Sequence, residues 1–73
     1  MNHKDVSVVS IIWANIIKYQ YLYGLSDDRL ASYLNVSTRS LINYRHDPGK
    51  ISLEQVQSFV EGVGISMADL IKE

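Results

Sequence analysis

One short segment of the chain carries side chains that suit contact with the edges of nucleic-acid bases. Drawn as a helix at about 100° per residue, residues 38–46 separate into two faces. Leu41 and Tyr44 point to one side. The opposite side, an arc of about 140° without an acidic residue, carries Thr38, Arg39, Ile42, Asn43 and His46. Arginine suits guanine O6 and N7, asparagine suits adenine N6 and N7, and a branched apolar group suits a thymine methyl. The pattern indicates a surface that reads base pairs in a DNA major groove.

Other helices of the chain must position this outer face of residues 38–46. The first of them is predicted to be long and apolar. It is predicted to begin at Asp5 or Ser7 and to end before Gly24, a residue typical of helix C-termini. Its inward side is predicted to carry Val9, Ile12, Trp13, Ile16, Tyr19 and Gln20 or Tyr23. Three more apolar residues fall outside that stripe: Val8, Ile11 and Ile17. Either deeper burial in a small bundle or a dimer contact would account for them.

Two closely spaced helices follow. Ser26 is a predicted N-cap for a helix over residues 27–34, and Asn35 tolerates the left-handed conformation that stops helices. Ser37 caps the third helix, which should end near His46 because Asp47 precedes Pro48. Residues 27–46 therefore form a predicted helix-turn-helix, with a three-residue turn at 35–37.

The last two helices complete a five-helix, all-α prediction. Pro48-Gly49 is a predicted turn, and Ser52 with Gln55 forms a capping box at the start of the fourth helix. The inward residues of that helix are predicted to be Leu53, Val56, Phe59 and Val60, and its end is predicted at Gly62 and Gly64. Ser66 opens a final short helix that contributes Leu70 and Ile71.

Composition limits the function classes. A chain of 73 residues with 47% hydrophobic and 21% charged residues predicts one small globular domain over residues 1–73, too small for an ordinary catalytic cleft. There is no cysteine, and the spacing of His3 and His46 matches no metal motif, so we expect no metal and no cofactor. No nucleophile is paired with a base at motif spacing, which predicts a protein that is not an enzyme. The apolar stretch at residues 6–17 is too short to cross a bilayer, and a cytoplasmic location is expected.

The segment over residues 9–72 resembles the helix-turn-helix domain of the lambda-repressor and Cro-like regulators, also called the xenobiotic-response-element type. The matching positions are Leu30-Ala31, Leu34, Val36-Ser37, Leu41, Tyr44, Leu53, Phe59, Val63-Gly64-Ile65-Ser66 and Leu70-Ile71. The resemblance implies a compact five-helix domain whose third helix lies in the major groove, usually as a homodimer on a palindromic site.

The resemblance also implies a role for each residue at a matching position. The base-reading positions are Thr38, Arg39 and Asn43, joined by Ile42. His46 and Lys50 lie where the family contacts backbone phosphate. Two further phosphate contacts are expected on other grounds: Ser37 because it lies at a helix N-terminus, and Arg45 because it departs from the family's pattern as described below.

Three positions depart from the family's pattern. Asp27 stands where the family has glutamine, and its carboxylate is expected to repel phosphate. Gln20 and Arg45 together replace an Arg–Glu pair, which leaves Arg45 free to face phosphate. Asn35 replaces the usual glycine of the turn.

Two functional hypotheses remain open from the sequence. The first is a sequence-specific, double-stranded-DNA-binding transcriptional regulator, a repressor of bacterial or phage type, with no small-molecule effector and no membrane partner. Residues 27–50 support it with four basic and three acidic side chains, a local charge of +1, against −2 for the rest of the chain.

The alternative is a helix-turn-helix fold used as a protein-interaction module, an antirepressor or adaptor. The net charge of −1, Asp27 and the apolar first helix favour that alternative. Either the first helix or the helix with Leu70 and Ile71 is a candidate dimer contact.

Overall fold

The computed structural model describes residues 7–72, and within them all regular structure is helical. The α-helices are α1 (Val8–Leu22), α2 (Asp27–Leu34), α3 (Thr38–His46), α4 (Leu53–Val63) and α5 (Met67–Leu70). The predicted turn at Pro48-Gly49 is a single 3₁₀ turn, Pro48–Lys50. The predicted all-α architecture with five helices is confirmed for this part of the chain. The alternative helix start at Asp5 lies outside the described residues. No helix over residues 7–72 is long and apolar enough to cross a membrane.

Each α-helix begins in the same way. A serine precedes the first residue, and its hydroxyl accepts a hydrogen bond from the backbone N–H three residues on; the five caps are Ser7, Ser26, Ser37, Ser52 and Ser66. Such a bond satisfies one of the backbone donors that a helix N-terminus leaves open. Ser52 and Ser66 add the reciprocal bond of a capping box: their backbone N–H groups donate to Oε1 of Gln55 and Oδ2 of Asp69 respectively. The predicted starts of α2 to α5 are confirmed.

The helix ends depend on left-handed residues. Gly24, Asn35 and Gly64 have φ angles of 64°, 61° and 84°, which redirect the chain after α1, α2 and α4. The prediction that Gly62 also helps to end α4 is wrong, because the helix continues to Val63. Gly62 lies inside α4, where the ring of Tyr33 packs against it.

The core lies where α2 packs against α3 and α4 and where α1 packs against α5. Its buried apolar side chains are Trp13, Ile16, Leu30, Ala31, Leu34, Leu41, Val56, Phe59 and Leu70. Half-buried neighbours, including Tyr44 and Val60, extend it. Each α-helix contributes at least one buried apolar side chain, so the five elements share one core.

Several residues predicted to be inward are exposed. Leu53 is 68% exposed because it is the first residue of α4 and lies at the rim of a groove between α1 and α4. Ile71 is exposed because it follows the last residue of α5, and Tyr23 is exposed because it follows the last residue of α1. The extra apolar residues of α1 are not deeply buried either: Val8 is exposed, and Ile11 and Ile17 are half-buried.

Candidate nucleic-acid interface

The turn between α2 and α3 sets where α3 lies. The backbone N–H of Asn35 donates to the carbonyl of Ser32 at 3.0 Å, and that of Val36 donates to the carbonyl of Ala31 at 2.9 Å. These bonds satisfy the last carbonyls of α2 while Asn35 adopts the left-handed conformation. Val36 packs against the core, and α3 starts two residues later. The turn is therefore short, hydrogen-bonded to the end of α2 and held against the core by Val36.

The inner face of α3 holds the helix against three others. Leu41 is buried in the core with residues of α1, α2 and α4. Tyr44 meets the edge of Trp13 with ring centroids 6.5 Å apart, and its hydroxyl accepts a hydrogen bond from Nε2 of Gln55 at 3.0 Å. A helix restrained on this side presents its opposite side to solvent in a defined orientation.

The outer face is exposed as the helical projection predicts. Its members all lie in the exposed class: Thr38, Arg39, Ile42, Asn43 and His46. The polar members have no side-chain hydrogen bond within residues 7–72, and Ile42 is 54% exposed. The structure brings the four predicted base-reading residues together on one surface. Their contact with bases stays a prediction.

Two predicted phosphate contacts lie at opposite ends of this surface. The Ser37 hydroxyl accepts from the backbone N–H of Ser40 at 3.1 Å and donates to Oγ of Ser40 at 3.2 Å, so it already serves the helix cap. Lys50 is exposed at the end of the 3₁₀ turn. The ion pairs over residues 7–72 are Arg45–Asp27 and Lys72–Asp69, which leaves Lys50 and Arg39 without a carboxylate partner in that range.

The expectation that Arg45 is free is wrong. Its Nη2 lies 2.6 Å from Oδ1 of Asp27 and donates a second hydrogen bond to Oε1 of Gln20 at 3.2 Å. Gln20 Nε2 donates a hydrogen bond to the same Asp27 oxygen at 2.9 Å, so each of the three side chains is bonded to the other two. The helix packing brings these residues together although 18 and 25 positions separate Arg45 from Asp27 and Gln20.

The charge of Asp27 is compensated at this junction. The hydrogen bond from Gln20 and the nearby Arg45 guanidinium hold the pKa of the Asp27 carboxyl below its usual range, against an opposing effect of desolvation. The expected repulsion between Asp27 and phosphate is therefore offset by the cation beside it. The pairing of Asp27 with Arg45 was not predicted from the sequence. The available signal was that positions 20 and 45 carry side chains that can hydrogen-bond to each other.

No arrangement for metal binding accompanies the surface. Over residues 7–72 no group of three or more His, Asp or Glu side chains is placed to hold an ion. An open cleft of about 500 Å³ lies beside α1 and is lined by Ile17, Gln20, Tyr21, Gly24 and Leu25. The site can therefore supply hydrogen bonds, apolar contact and charge from its side chains.

Comparisons with known proteins assign no family. No protein-family model matches the chain, and no curated protein or solved structure matches it significantly. The resemblance to lambda-repressor-like domains therefore depends on the residues of this chain alone.

Proposed function

We propose that this protein binds double-stranded DNA sequence-specifically, with α3 in the major groove of a lambda-repressor-like helix-turn-helix domain. It would act as a small transcriptional repressor of bacterial or phage type. The observation that carries this proposal is the outer face of α3, where Arg39, Asn43 and Ile42 lie exposed together with no carboxylate among them. Their hydrogen-bonding groups are not used within residues 7–72, so they are available to a ligand.

The chemistry of the face assigns each side chain a base contact. Arg39 would donate two hydrogen bonds to guanine, Asn43 would pair with the adenine edge and Ile42 would contact a thymine methyl. Thr38, at the start of the helix, would bond to a base or to a nearby phosphate. An α-helix with its side chains is about 10–12 Å in diameter, which suits a major groove about 12 Å wide.

The phosphate contacts argue for a homodimer. Arg45, His46 and Lys50 lie at the C-terminal end of α3 or just after it, and Ser37 lies at its start. Counting Arg39 with Arg45, Lys50 and His46, and leaving out the uncharged Ser37, one chain would neutralise about three or four phosphates. That gives weak binding, and two chains would double the number. Recognition helices of a dimer lie about 34 Å apart on DNA. The backbone measures 36 × 24 × 21 Å, dimensions of the same order as this separation.

Selection from a random duplex pool, followed by a salt titration of the retained sequences, tests this function. We expect enrichment of a palindromic motif and a steep fall of affinity with salt. A pool that shows no retention at low salt would contradict the proposal. A pool retained without any enriched sequence would reduce it to non-specific binding.

One observation favours a second candidate, a protein-interaction module. Tyr21, Leu22 and Tyr23 at the end of α1 are 85%, 60% and 53% exposed, an apolar cluster beside the open cleft. Such clusters are typical of protein contacts. The pairing of Asp27 with Arg45 removes one earlier reason for this candidate. Gel filtration with light scattering, with and without duplex DNA, distinguishes the two: a heterotypic complex and no DNA shift would favour the second.

A further inference from the structure

Three side chains from three helices form a closed ring of hydrogen bonds at the start of α2. We name it the Gln–Asp–Arg ring after Gln20 of α1, Asp27 of α2 and Arg45 of α3. Gln20 Nε2 donates to Asp27 Oδ1 at 2.9 Å, and Arg45 Nη2 donates to the same oxygen at 2.6 Å and to Gln20 Oε1 at 3.2 Å. The ring joins the last turns of α1 and α3 to the first residue of α2.

The orientation of the Gln20 amide is determined by a fourth bond. Nε2 also donates to the backbone carbonyl of Leu25 at 3.1 Å, so both of its N–H groups are used and Oε1 faces Arg45. A flipped amide would place its oxygen against the Leu25 carbonyl and the Asp27 carboxylate. Gln20 therefore restrains both charged partners in one arrangement.

The ring uses only part of the Arg45 guanidinium. A guanidinium has five N–H donors, and the two acceptors in the ring occupy those of Nη2. Nε and Nη1, with three N–H groups, have no hydrogen-bond partner within residues 7–72. About a third of the side chain, 34%, is exposed. Nε–H and the N–H groups of Nη1 lie on different edges of the guanidinium, so each can donate a single charge-assisted hydrogen bond to a phosphate oxygen.

We propose that the Gln–Asp–Arg ring positions Arg45 to bind a backbone phosphate of duplex DNA through an N–H group that the ring leaves unused, with Gln20 and Asp27 as positioning residues. This role rests on the proposed DNA-binding function. It reverses the simplest expectation for Asp27: a carboxylate close to DNA is here required for an anion contact, because it holds the cation that makes the contact.

Two adjacent carboxylates give a matched test. Asp27→Asn and Asp28→Asn each remove one negative charge from the first turn of α2, but only Asp27 belongs to the ring. Charge repulsion alone would make both variants bind the selected duplex more tightly. Positioning instead predicts that Asp27→Asn binds about two- to fivefold more weakly, as expected for loss of an exposed charge pair, whereas Asp28→Asn does not weaken binding. The neutral change Gln20→Met should weaken binding as Asp27→Asn does.

The salt dependence separates positioning from a loss of folded protein. Losing one phosphate contact lowers the slope of log affinity against log salt by about 0.9, whereas a smaller folded fraction lowers affinity without changing the slope. Arg45→Ala sets the reference slope, and we expect Gln20→Met and Asp27→Asn to approach it. Arg45→Lys, which keeps the charge but not the planar guanidinium that bonds to Asp27 and Gln20 and still has free N–H groups, should not restore full affinity.

Two results would overturn the inference and leave the proposed function intact: Asp27→Asn binding as tightly as Asp28→Asn, or weaker binding with the wild-type slope. Failure of the wild-type protein to retain any duplex would overturn both.

Discussion

Gly62 of α4 lies directly under the ring of Tyr33 of α2. A Cβ atom at position 62 would be 2.5 Å from Cδ1 of Tyr33, too close for packed side chains, and 3.0 Å from Cε1, which is tighter than most contacts. The backbone of Tyr33 is also held against α4, because its carbonyl accepts a hydrogen bond from the Ser58 hydroxyl of α4 at 2.7 Å. The missing side chain at position 62 therefore gives the Tyr33 ring of α2 room to pack against α4.

Gly62→Ala should destabilise the protein although alanine is the better helix former. Helix propensity alone predicts a gain of about 1 kcal/mol, but overpacking against a held ring costs about 1–3 kcal/mol. We expect a net loss in the free energy of unfolding, measured by thermal or urea denaturation. Gly49→Ala is the control, because its new Cβ would have an ordinary contact 3.5 Å from Asp47 Oδ1. Equal stability of Gly62→Ala and wild type would show that Tyr33 moves aside.

Asn15 ties α1 to the C-terminal end of the described chain. Its Nδ2 donates to the carbonyls of Leu70 and Lys72 at 2.7 and 2.8 Å, and the residue is buried. Asn15→Ala should lower the free energy of unfolding by about 2 kcal/mol, since buried carbonyls lose their donors.

Asn15→Asp should make the stability contributed by this contact depend on pH. A carboxylate facing two carbonyl oxygens is disfavoured, so the pKa of the new carboxyl is raised in the folded state. The folded state then binds more protons, and stability falls as pH rises through that raised value. The exposed change Asn43→Asp is the control; an identical pH profile for the two variants would contradict the role of Asn15.

Asn35 ends α2 in the left-handed conformation, with φ 61° and ψ 44°. Asn35→Ala should cost about 1 kcal/mol because a Cβ without a local polar group disfavours that conformation. Asn35→Gly should be neutral or stabilising, since glycine adopts it without strain. Chemical denaturation of both variants checks this. A more stable alanine variant would mean that α2 can end differently.

Arg39 and Lys50 should respond differently in DNA binding. Arg39→Ala is expected to cost about 1–3 kcal/mol on the selected site and to relax preference at one base position. Lys50→Ala should weaken all sequences alike and lower the salt slope by about 0.9. Competition between the selected duplex and a scrambled one measures both effects. Unchanged specificity in Arg39→Ala would place base reading elsewhere.

Acid should destabilise the protein through two paired carboxyls. Gln20 and Arg45 lower the pKa of Asp27, and the Ser66 backbone and hydroxyl lower the pKa of Asp69, both from the ordinary 3.8. A depressed folded-state pKa contributes stability above 3.8 that is lost as pH falls below it. Unfolding measured across that range should show a decline that Asp27→Asn with Asp69→Asn makes shallower. Asn35→Ala, which removes no carboxyl, should shift the curve without changing its slope; an unchanged decline in the double variant would refute the assignment.

The helix starts could be predicted because capping is local. The hydroxyls of Ser26, Ser37, Ser52 and Ser66 each bond three residues ahead, so the cap and its partner are read from one short stretch. The outward direction of Arg39 and Asn43 could be predicted for a related reason, since helical periodicity and the core residues Leu41 and Tyr44 define the opposite side.

The sequence by itself therefore determined the helices and the exposed face of α3. Only the tertiary structure decided which distant side chains meet: Arg45 with Asp27, Asn15 with the end of α5, and Gly62 with Tyr33. It also decided that Leu53, apolar and correctly spaced, lies at a rim instead of in the core. Caps and periodicity act within a few residues of one helix, whereas contacts between helices depend on where and at what angle the helices cross, and no short stretch of sequence contains that information.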